Sequence, residues 1–313
     1  MIDIYFRKEY GQIWAEYEMA QFELFEYQEK DEKVVYPLIV RSINDQWKDI
    51  TSPYGYSGPY CNTNNLNFYK RFRAAFGKYC QEKHIISEFI RFHPLLNNYL
   101  EAKEIIPLKK RGETIWIDLT QPETTLWKDL RKGHKNSIIK AKKAKIQIKL
   151  MPVNKIDEFC KLYQATMKRK QAKQYYFFPL SFFINSFNKL GKNIFWLGAL
   201  KEEKLVAGAI FLKSDTWLHY HLATTDRDFL ALSPGTFLLW EAIMLGKKMD
   251  LTKFHLGGGI DDNLSFYKQG FSSNRADFYT GEVIHNLQVY NKLCQEREIQ
   301  QGNYFPLYRQ PEK

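Results

Sequence analysis

Lys30-Asp31-Glu32-Lys33-Val34-Val35-Tyr36-Pro37-Leu38-Ile39-Val40 returns later in the chain as Lys201-Glu202-Glu203-Lys204-Leu205-Val206-Ala207-Gly208-Ala209-Ile210-Phe211, with five of eleven aligned residues identical. In each copy an apolar run, 22–27 or 194–200, enters a charged tight turn and a second apolar run leaves it, the pattern of a β-hairpin. The downstream segments repeat as well. Residues 66–80 set Phe68, Phe72, Ala75 and Phe76 at helical spacing and lead to a strand-like 85–92. Residues 236–249 set Phe237, Trp240 and Leu245 at helical spacing and lead to a strand at 253–256. Matching order at a nearly constant offset predicts a duplicated α/β (α+β) domain, each copy a mixed central sheet flanked by helices, with a cleft between the copies.

A chain of 313 residues suits two domains. The reading places an N-terminal domain at 1–122, a basic connecting helix at 123–145, and a C-terminal domain at 146–313 that ends in a helix. Hydrophobic residues make up 44 % and aromatics 16 %, which supplies large cores and excludes disorder over most of the length. The first nine residues, MIDIYFRKE, carry charges where a signal peptide needs an apolar run, and no stretch approaches the ~20 apolar residues of a membrane span. Cys61, Cys80, Cys160 and Cys294 form no close pair, which argues against a zinc site or a disulfide framework and for a reduced, cytoplasmic protein. A formal charge of +11 favours polyanionic partners: nucleic acid, a nucleotide-activated substrate, coenzyme A or an anionic membrane face.

Between the copies, residues 126–145 read as one basic helix. Leu126, Leu130, Ile138, Ile139 and Ala141 make an apolar stripe, and Lys128, Arg131, Lys132, Lys135, Lys142 and Lys143 lie mostly on the other face. Such a face is either simply solvated or contacts phosphates or RNA.

The second copy ends in Phe254-His255-Leu256-Gly257-Gly258-Gly259, followed by Leu264-Ser265-Phe266-Tyr267-Lys268-Gln269-Gly270-Phe271. Three glycines let a backbone approach a ligand closely, and a lysine set among aromatics is partly desolvated yet able to reach a phosphate or a developing oxyanion. Ser233-Pro234-Gly235-Thr236 opens a helix with serine at the N-cap and proline at the first helical position, leaving N–H groups free for an anion. Tyr54, Gly55, Tyr56 and Gly58, in a proline-flanked loop, offer flat amphipathic rings for a sugar or nucleoside, and Arg91 closes the strand at 85–92. His219 and His221 would share one strand face as zinc ligands do, but no third ligand stands at a telling spacing, so no metal is expected. A P-loop, a nucleophile elbow, a Cys/His protease pattern and paired carboxylates are all missing.

In this order, SPYGYSGP, LRKGHKNSIIKAKK, SPGTFLLWEAI, FHLGGG and LSFYKQGF resemble the FemABX-type branch of the GNAT acyltransferase superfamily over roughly residues 20–290. The resemblance implies two GNAT-like domains, with an acceptor between them and either an aminoacyl-tRNA or an acyl-CoA as donor, and no tightly bound cofactor. The family's aromatic-aromatic-lysine element falls on Phe266, Tyr267 and Lys268, which the resemblance makes the catalytic candidates. Its His-Arg-Asn falls on His134, Lys135 and Asn136, next to Lys132, where a lysine replaces the bidentate arginine. Substrate-binding roles are expected for these four residues, for Tyr54, Gly55, Tyr56, Gly58, Arg91, His219, His221, Ser233 and Gly235, and for Gly257, Gly258 and Gly259.

The implied reaction moves an aminoacyl or acyl group to an amine of a nucleotide- or lipid-linked cell-envelope precursor, such as a peptidoglycan peptide or an amino sugar. The attack is direct, with no covalent enzyme intermediate. tRNA is an expected partner, as is peripheral contact with the inner membrane face, with no integral membrane segment. Two alternatives stay open: an acyl-CoA-dependent N-acetyltransferase of a nucleotide-linked amino sugar, and a noncatalytic module binding a nucleotide-sugar or RNA.

Overall fold

The computed structural model describes residues 3–259, 262–299 and 301–311. In chain order its elements are α1 (Lys8–Tyr17), β1 (Gln21–Glu29), β2 (Glu32–Ser42), β3 (Lys48–Thr51), β4 (Tyr60–Cys61), α2 (Leu66–Glu82), β5 (Ile85–Arg91) and β6 (Leu108–Asp118). There follow α3 (Glu123–Asp129), α4 (Lys132–Lys143), β7 (Gln147–Leu150), α5 (Ile156–Arg169), α6 (Leu180–Leu190), β8 (Ile194–Lys201), β9 (Lys204–Lys213) and β10 (Trp217–Thr225). The chain ends with α7 (Pro234–Lys248), β11 (Lys253–Gly257), α8 (Asp262–Gln269), β12 (Arg275–Ile284) and α9 (Leu287–Glu296).

Two compact units result. The N-unit is Tyr5–Gly112 with Asp277–Lys313, and the C-unit is Glu113–Ala276 with Met1–Ile4. Neither is one continuous piece of chain: strand β6 crosses from one unit into the other at Gly112, and β12 does so at Ala276.

Each unit repeats one sheet. In the N-unit β1–β2 and β2–β3 are antiparallel, β3–β5 parallel and β5–β12 antiparallel. In the C-unit β8–β9 and β9–β10 are antiparallel, β10–β11 parallel and β11–β6 antiparallel, with β7 added beside β8. Helix α2 links β4 to the parallel partner β5, and α7 links β10 to β11, as a parallel pair requires. The duplicated mixed α/β architecture is therefore present, with the closing strand of each sheet drawn from the other half of the sequence.

Local chemistry explains the crossover helices. The side chain of Asn65 accepts hydrogen bonds from the Asn67 and Phe68 amides at the start of α2, and Phe68, Phe72, Phe76 and Cys80 recur every four residues on its buried face. Fully burying each of those phenylalanines contributes about 1.5–3 kcal/mol. In α7 apolar positions lie nearly all round, and Phe237, Leu238, Leu239, Trp240, Ala242 and Ile243 are buried together with Phe254 and Leu256 of β11.

The two interiors differ in character. That of the N-unit holds a charged network in which Glu88 takes two hydrogen bonds from Arg73, both 2.8 Å, and one each from Tyr36 and His285, both 3.0 Å. Nearby, buried Asp49 accepts from Arg41, Tyr308 and Arg309, which ties the C-terminal tail to β3. The core between α7 and its sheet is mainly apolar, although Thr236 of α7 is buried too.

Candidate active site in the C-unit

The glycine hexad, the aromatic-lysine motif and the basic stretch converge in the C-unit. Lys268, on α8, is 7 % exposed, and its Nζ donates to the carbonyl of Gly258 at 2.6 Å. The same Nζ stands 5.8 Å from the ring centroid of Tyr220 on β10. Burial pushes the ammonium down to about 8, while the Gly258 carbonyl acts in the opposite sense by accepting from the charged form.

Strands β10 and β11 part at this point. Their parallel ladder runs from Trp217/Lys253 to His219/His255, after which β10 stays with β9 as far as Thr225. Strand β11 stays with β6, through a bulge at Leu256, to Gly257. Gly257 takes φ 71, a left-handed conformation that a side chain resists, and it turns the chain out of the sheet. Tyr220 is the first residue of β10 past the parting and Gly258 the first beyond β11, so Lys268 reaches both strands where they separate. Ligands of open α/β sheets bind at the carboxyl ends of parallel strands, and this parting lies at such ends.

Helix α8 is fixed from the side by the first turn of α4. His134 is 8 % exposed, and its Nε2 bonds the carbonyl of Tyr267 at 2.9 Å, so the neutral ring carries its proton on Nε2. Burial lowers its pKa, the Tyr267 carbonyl opposes this, and Arg131 adds to the lowering. A Cβ on Gly270 would lie 2.3 Å from the imidazole, so that glycine is what admits the histidine. The Phe271 ring closes edge-on at 4.5 Å. Arg131 lies 3.7 Å from the Phe266 ring centroid and donates to the Phe266 carbonyl at 3.2 Å. Burial raises the Tyr267 phenol to about 12, against a hydrogen bond with the Thr236 hydroxyl near the start of α7.

Several expectations are corrected. The basic stretch is two helices rather than one, because Leu130 and Arg131 are extended, with ψ of 135° and 142°. His134 joins Leu126, Leu130, Ile138 and Ala141 on the buried side in place of Ile139, which is 43 % exposed. Lys135 donates from Nζ to the carbonyl of Lys128 at 2.8 Å, near the end of α3, while Lys132 and Asn136 are exposed. Ser233 stands at the N-cap of α7 but is left-handed, at φ 54 and ψ 42, and its side chain makes no capping bond. Gly235 follows within the first turn, where an added Cβ would lie 3.2 Å from the Thr225 hydroxyl. Phe266 is 62 % exposed, and Gly259 is exposed as well.

The two histidines of β10 are engaged differently. His219 bonds Asp3 at 2.8 Å, both side chains buried, and its ring meets His255 edge-on. His221 occupies a bulge in the β10–β9 ladder, where burial, and secondarily His219, lowers its pKa to about 3. It is neutral at any physiological pH.

The remaining candidates belong to the N-unit. Tyr54 stacks on Trp14 at 4.4 Å, and Tyr56 meets Tyr5, His93 and Phe278 edge-on. Gly55 and Gly58 take φ of 87° and 80° in this loop. Its rings are thus largely occupied by packing, although Tyr54 and Tyr56 remain half-exposed. The amide of Arg91 donates to the Ser52 hydroxyl at 2.9 Å, and its guanidinium lies over Phe89. Sequence reasoning missed Tyr220 and Gly270. The alternation of β10, which sends Tyr220 to the face opposite His219, was the signal available for the first.

Residues 128–269 match the family model described as an acetyltransferase (GNAT) domain, which falls wholly within the C-unit and contains Lys268, Tyr220, His134 and the glycine run. No curated protein sequence matches the chain. Among solved structures it is similar to FemX, with 11 % identity, 90 % of this chain and 92 % of that one covered, and a TM-score of 0.71. It is also similar to L-PGS from Bacillus licheniformis, at 13 % identity, 90 % of each chain and a TM-score of 0.55. A C-terminal domain from Agrobacterium fabrum, described as belonging to a putative lysylphosphatidylglycerol synthetase, gives 13 % identity, 90 % and 89 % coverage and a TM-score of 0.55. The fold is that of FemX, and residues 128–269 form an acyltransferase domain of the GNAT type. Among the described residues no helix is long and apolar enough to cross a membrane.

Proposed function

We propose that this GNAT acyltransferase moves an aminoacyl group from an activated ester to an amine of a nucleotide- or lipid-linked cell-envelope precursor. The observation that carries the reading is the buried ammonium of Lys268 at the parting of β10 and β11. The donor's carbonyl end enters between the parted strands, beside Tyr220 and Lys268. The acceptor amine attacks as the neutral base, a C–N bond forms, and negative charge collects on the carbonyl oxygen. Lys268, with water kept away by Tyr220 and Tyr267, stabilises that oxyanion more strongly than a surface lysine does. Collapse breaks the ester C–O bond, and the amine proton ends on the departing hydroxyl. His134 and Gly270 act on this indirectly, by fixing the backbone of α8 that presents Lys268.

An aminoacyl ester is preferred to an acyl thioester for two reasons. The FemX likeness runs through nearly the whole chain, and lysylphosphatidylglycerol, named in another of the similar structures, is itself an aminoacylated lipid. The acyl-CoA reading draws on the acetyltransferase domain match and on the start of α7 near Gly235. tRNA is then the partner that brings the donor, and the reaction belongs on the cytoplasmic side.

The test is turnover with charged tRNA and with acetyl-CoA against peptidoglycan-precursor and amino-sugar acceptors. Lys268→Ala is expected to lower kcat about 10²-fold, the scale of one lost transition-state contact, and Lys268→Arg to rescue poorly because a guanidinium is planar and larger. Since the cation is the active form and titrates near 8, its contribution is full below that pH and declines above it. Full activity in Lys268→Ala would remove the assignment.

A further inference from the structure

Residues 159–201 contain no aspartate or glutamate and eight lysines and arginines. The run covers most of α5, all of α6, and the segment between them, all within the C-unit. Lys168, Arg169, Lys170 and Lys173 are exposed at the end of α5 and just after it. Immediately beyond, Tyr175, Leu180 and Ile184 are 37 %, 37 % and 41 % exposed, the last two one turn apart on α6.

This exposure does not reflect loose packing. The inner side of the same segment is closed: Phe178 is fully buried, stacks on Phe182 at 4.6 Å, and its carbonyl accepts from Gln164 at 3.3 Å. Phe183 is buried as well, edge-on to Phe159 at 5.5 Å. The buried aromatics therefore leave Tyr175, Leu180 and Ile184 facing outward on the stretch that directly follows the basic end of α5. At the basic end of α5 a pocket of about 480 Å³ is lined by Lys168, Arg169 and Arg227 together with Asp226, which is itself paired with Lys204 at 3.0 Å. Both terminal nitrogens of Arg169 donate to the Thr225 carbonyl at 3.2 Å, which keeps its side chain at that rim.

We propose that this surface, the end of α5 with the following segment and the outer face of α6, docks on an anionic lipid bilayer. Basic side chains neutralise lipid phosphates while Tyr175, Leu180 and Ile184 enter the headgroup boundary, the combination by which proteins without a spanning segment hold a membrane. Leu180 and Ile184 decide between a bilayer and RNA: aliphatic side chains have no face on which a base stacks, yet they partition into lipid. The inference goes beyond the proposed reaction, because the bilayer is bound whether or not an acyl group is transferred.

The experiment is co-sedimentation of the full chain, with no substrate present, on vesicles of phosphatidylcholine alone and of phosphatidylcholine with phosphatidylglycerol, at low and high salt. Binding is expected on the anionic vesicles and is expected to weaken with salt. Lys168→Glu with Lys173→Glu lowers the partition coefficient at least roughly tenfold, from the attraction each basic residue contributes near such a surface. Leu180→Ser with Ile184→Ser lowers it in high salt as well, while Lys78→Glu on α2 with Lys83→Glu at its C-cap leaves it unchanged. The substituted side chains are exposed, so unaltered melting reports that the variants fold, and the headgroup and salt dependence of the unsubstituted protein needs no variant. Equal binding to both vesicle types, loss of binding in the α2 variant to the same degree, or capture of a single-stranded RNA in place of vesicles overturns the proposal.

Discussion

In the N-unit the parallel strands β3 and β5 stay joined to their ends. Beyond Thr51/Phe89, the Ser52 amide donates to the Phe89 carbonyl at 3.0 Å, the Arg91 amide donates to the Ser52 hydroxyl at 2.9 Å, and the Ser57 amide donates to the Arg91 carbonyl at 2.7 Å. In the C-unit the corresponding strands, β10 and β11, part after His219/His255 and leave Lys268 at the opening. The same strand order thus yields a closed seam in one unit and an open one in the other. Buried charge differs as well, although the C-unit also pairs one buried acid, Asp3, with His219. Glu88 and Asp49 in the N-unit are surrounded by donors, whereas Lys268 has one described hydrogen bond, to a backbone carbonyl. A charge enclosed by partners stabilises a structure. One that faces a gap in a sheet is available to a ligand.

Arg73→Met tests this contrast with the largest expected effect. It strands Glu88 in the interior, and removing one partner of a buried pair costs about 3–5 kcal/mol, read by denaturant unfolding. Burial works to raise the Glu88 carboxyl, but Arg73, with help from His285, holds it down at about 2. A depressed carboxyl contributes stability that is full above its unfolded value of 4.5 and is lost as the pH falls toward 2. The variant should therefore lose most of this acid-sensitive contribution. Unfolding curves that match the parent at neutral pH would mean that the network does not hold the N-unit together.

Ser52→Ala should have a smaller effect. It removes the acceptor for the Arg91 amide within the closed seam, and an unsatisfied buried amide costs about 1–3 kcal/mol. Turnover per folded molecule should not change. A fall in kcat with unchanged stability would place function in the N-unit seam and break the contrast.

Much of the fold could be read from the sequence because side-chain alternation in a strand survives a small error of register. The sequence echo aligns Lys30 with Lys201, but in the two hairpins it is Glu29 that corresponds to Lys201, as the residues closing each turn. A bulge at Val206 then adds another residue, so Val34, Tyr36 and Leu38 correspond to Ala207, Ala209 and Phe211, each facing its own core. The combined shift is two residues, which keeps the inward and outward sets intact. The exchange of β6 and β12 between units was not legible, since strand partners at that distance leave no local pattern. Within the candidate site, Lys268 stood out by its aromatic setting and His134 by the family resemblance. That the His134 ring would bond a backbone carbonyl rather than a substrate depended on Gly270, whose missing side chain carries no chemical signal of its own. The tyrosine-glycine loop had the composition of a binding loop, but tertiary packing against Trp14 and Tyr5 occupies its rings.

The most direct measurement is amide hydrogen exchange on the full chain with charged tRNA and, separately, acetyl-CoA, comparing the two seams in one experiment. Donor binding is expected to slow exchange at residues 220–225, 257–259 and 262–268, around the parting of β10 and β11, and to leave 52–58 and 89–92 as they were. Protection at 52–58 and 89–92 without change at 220–225, 257–259 and 262–268 would contradict this, placing the donor on the unit whose seam is closed.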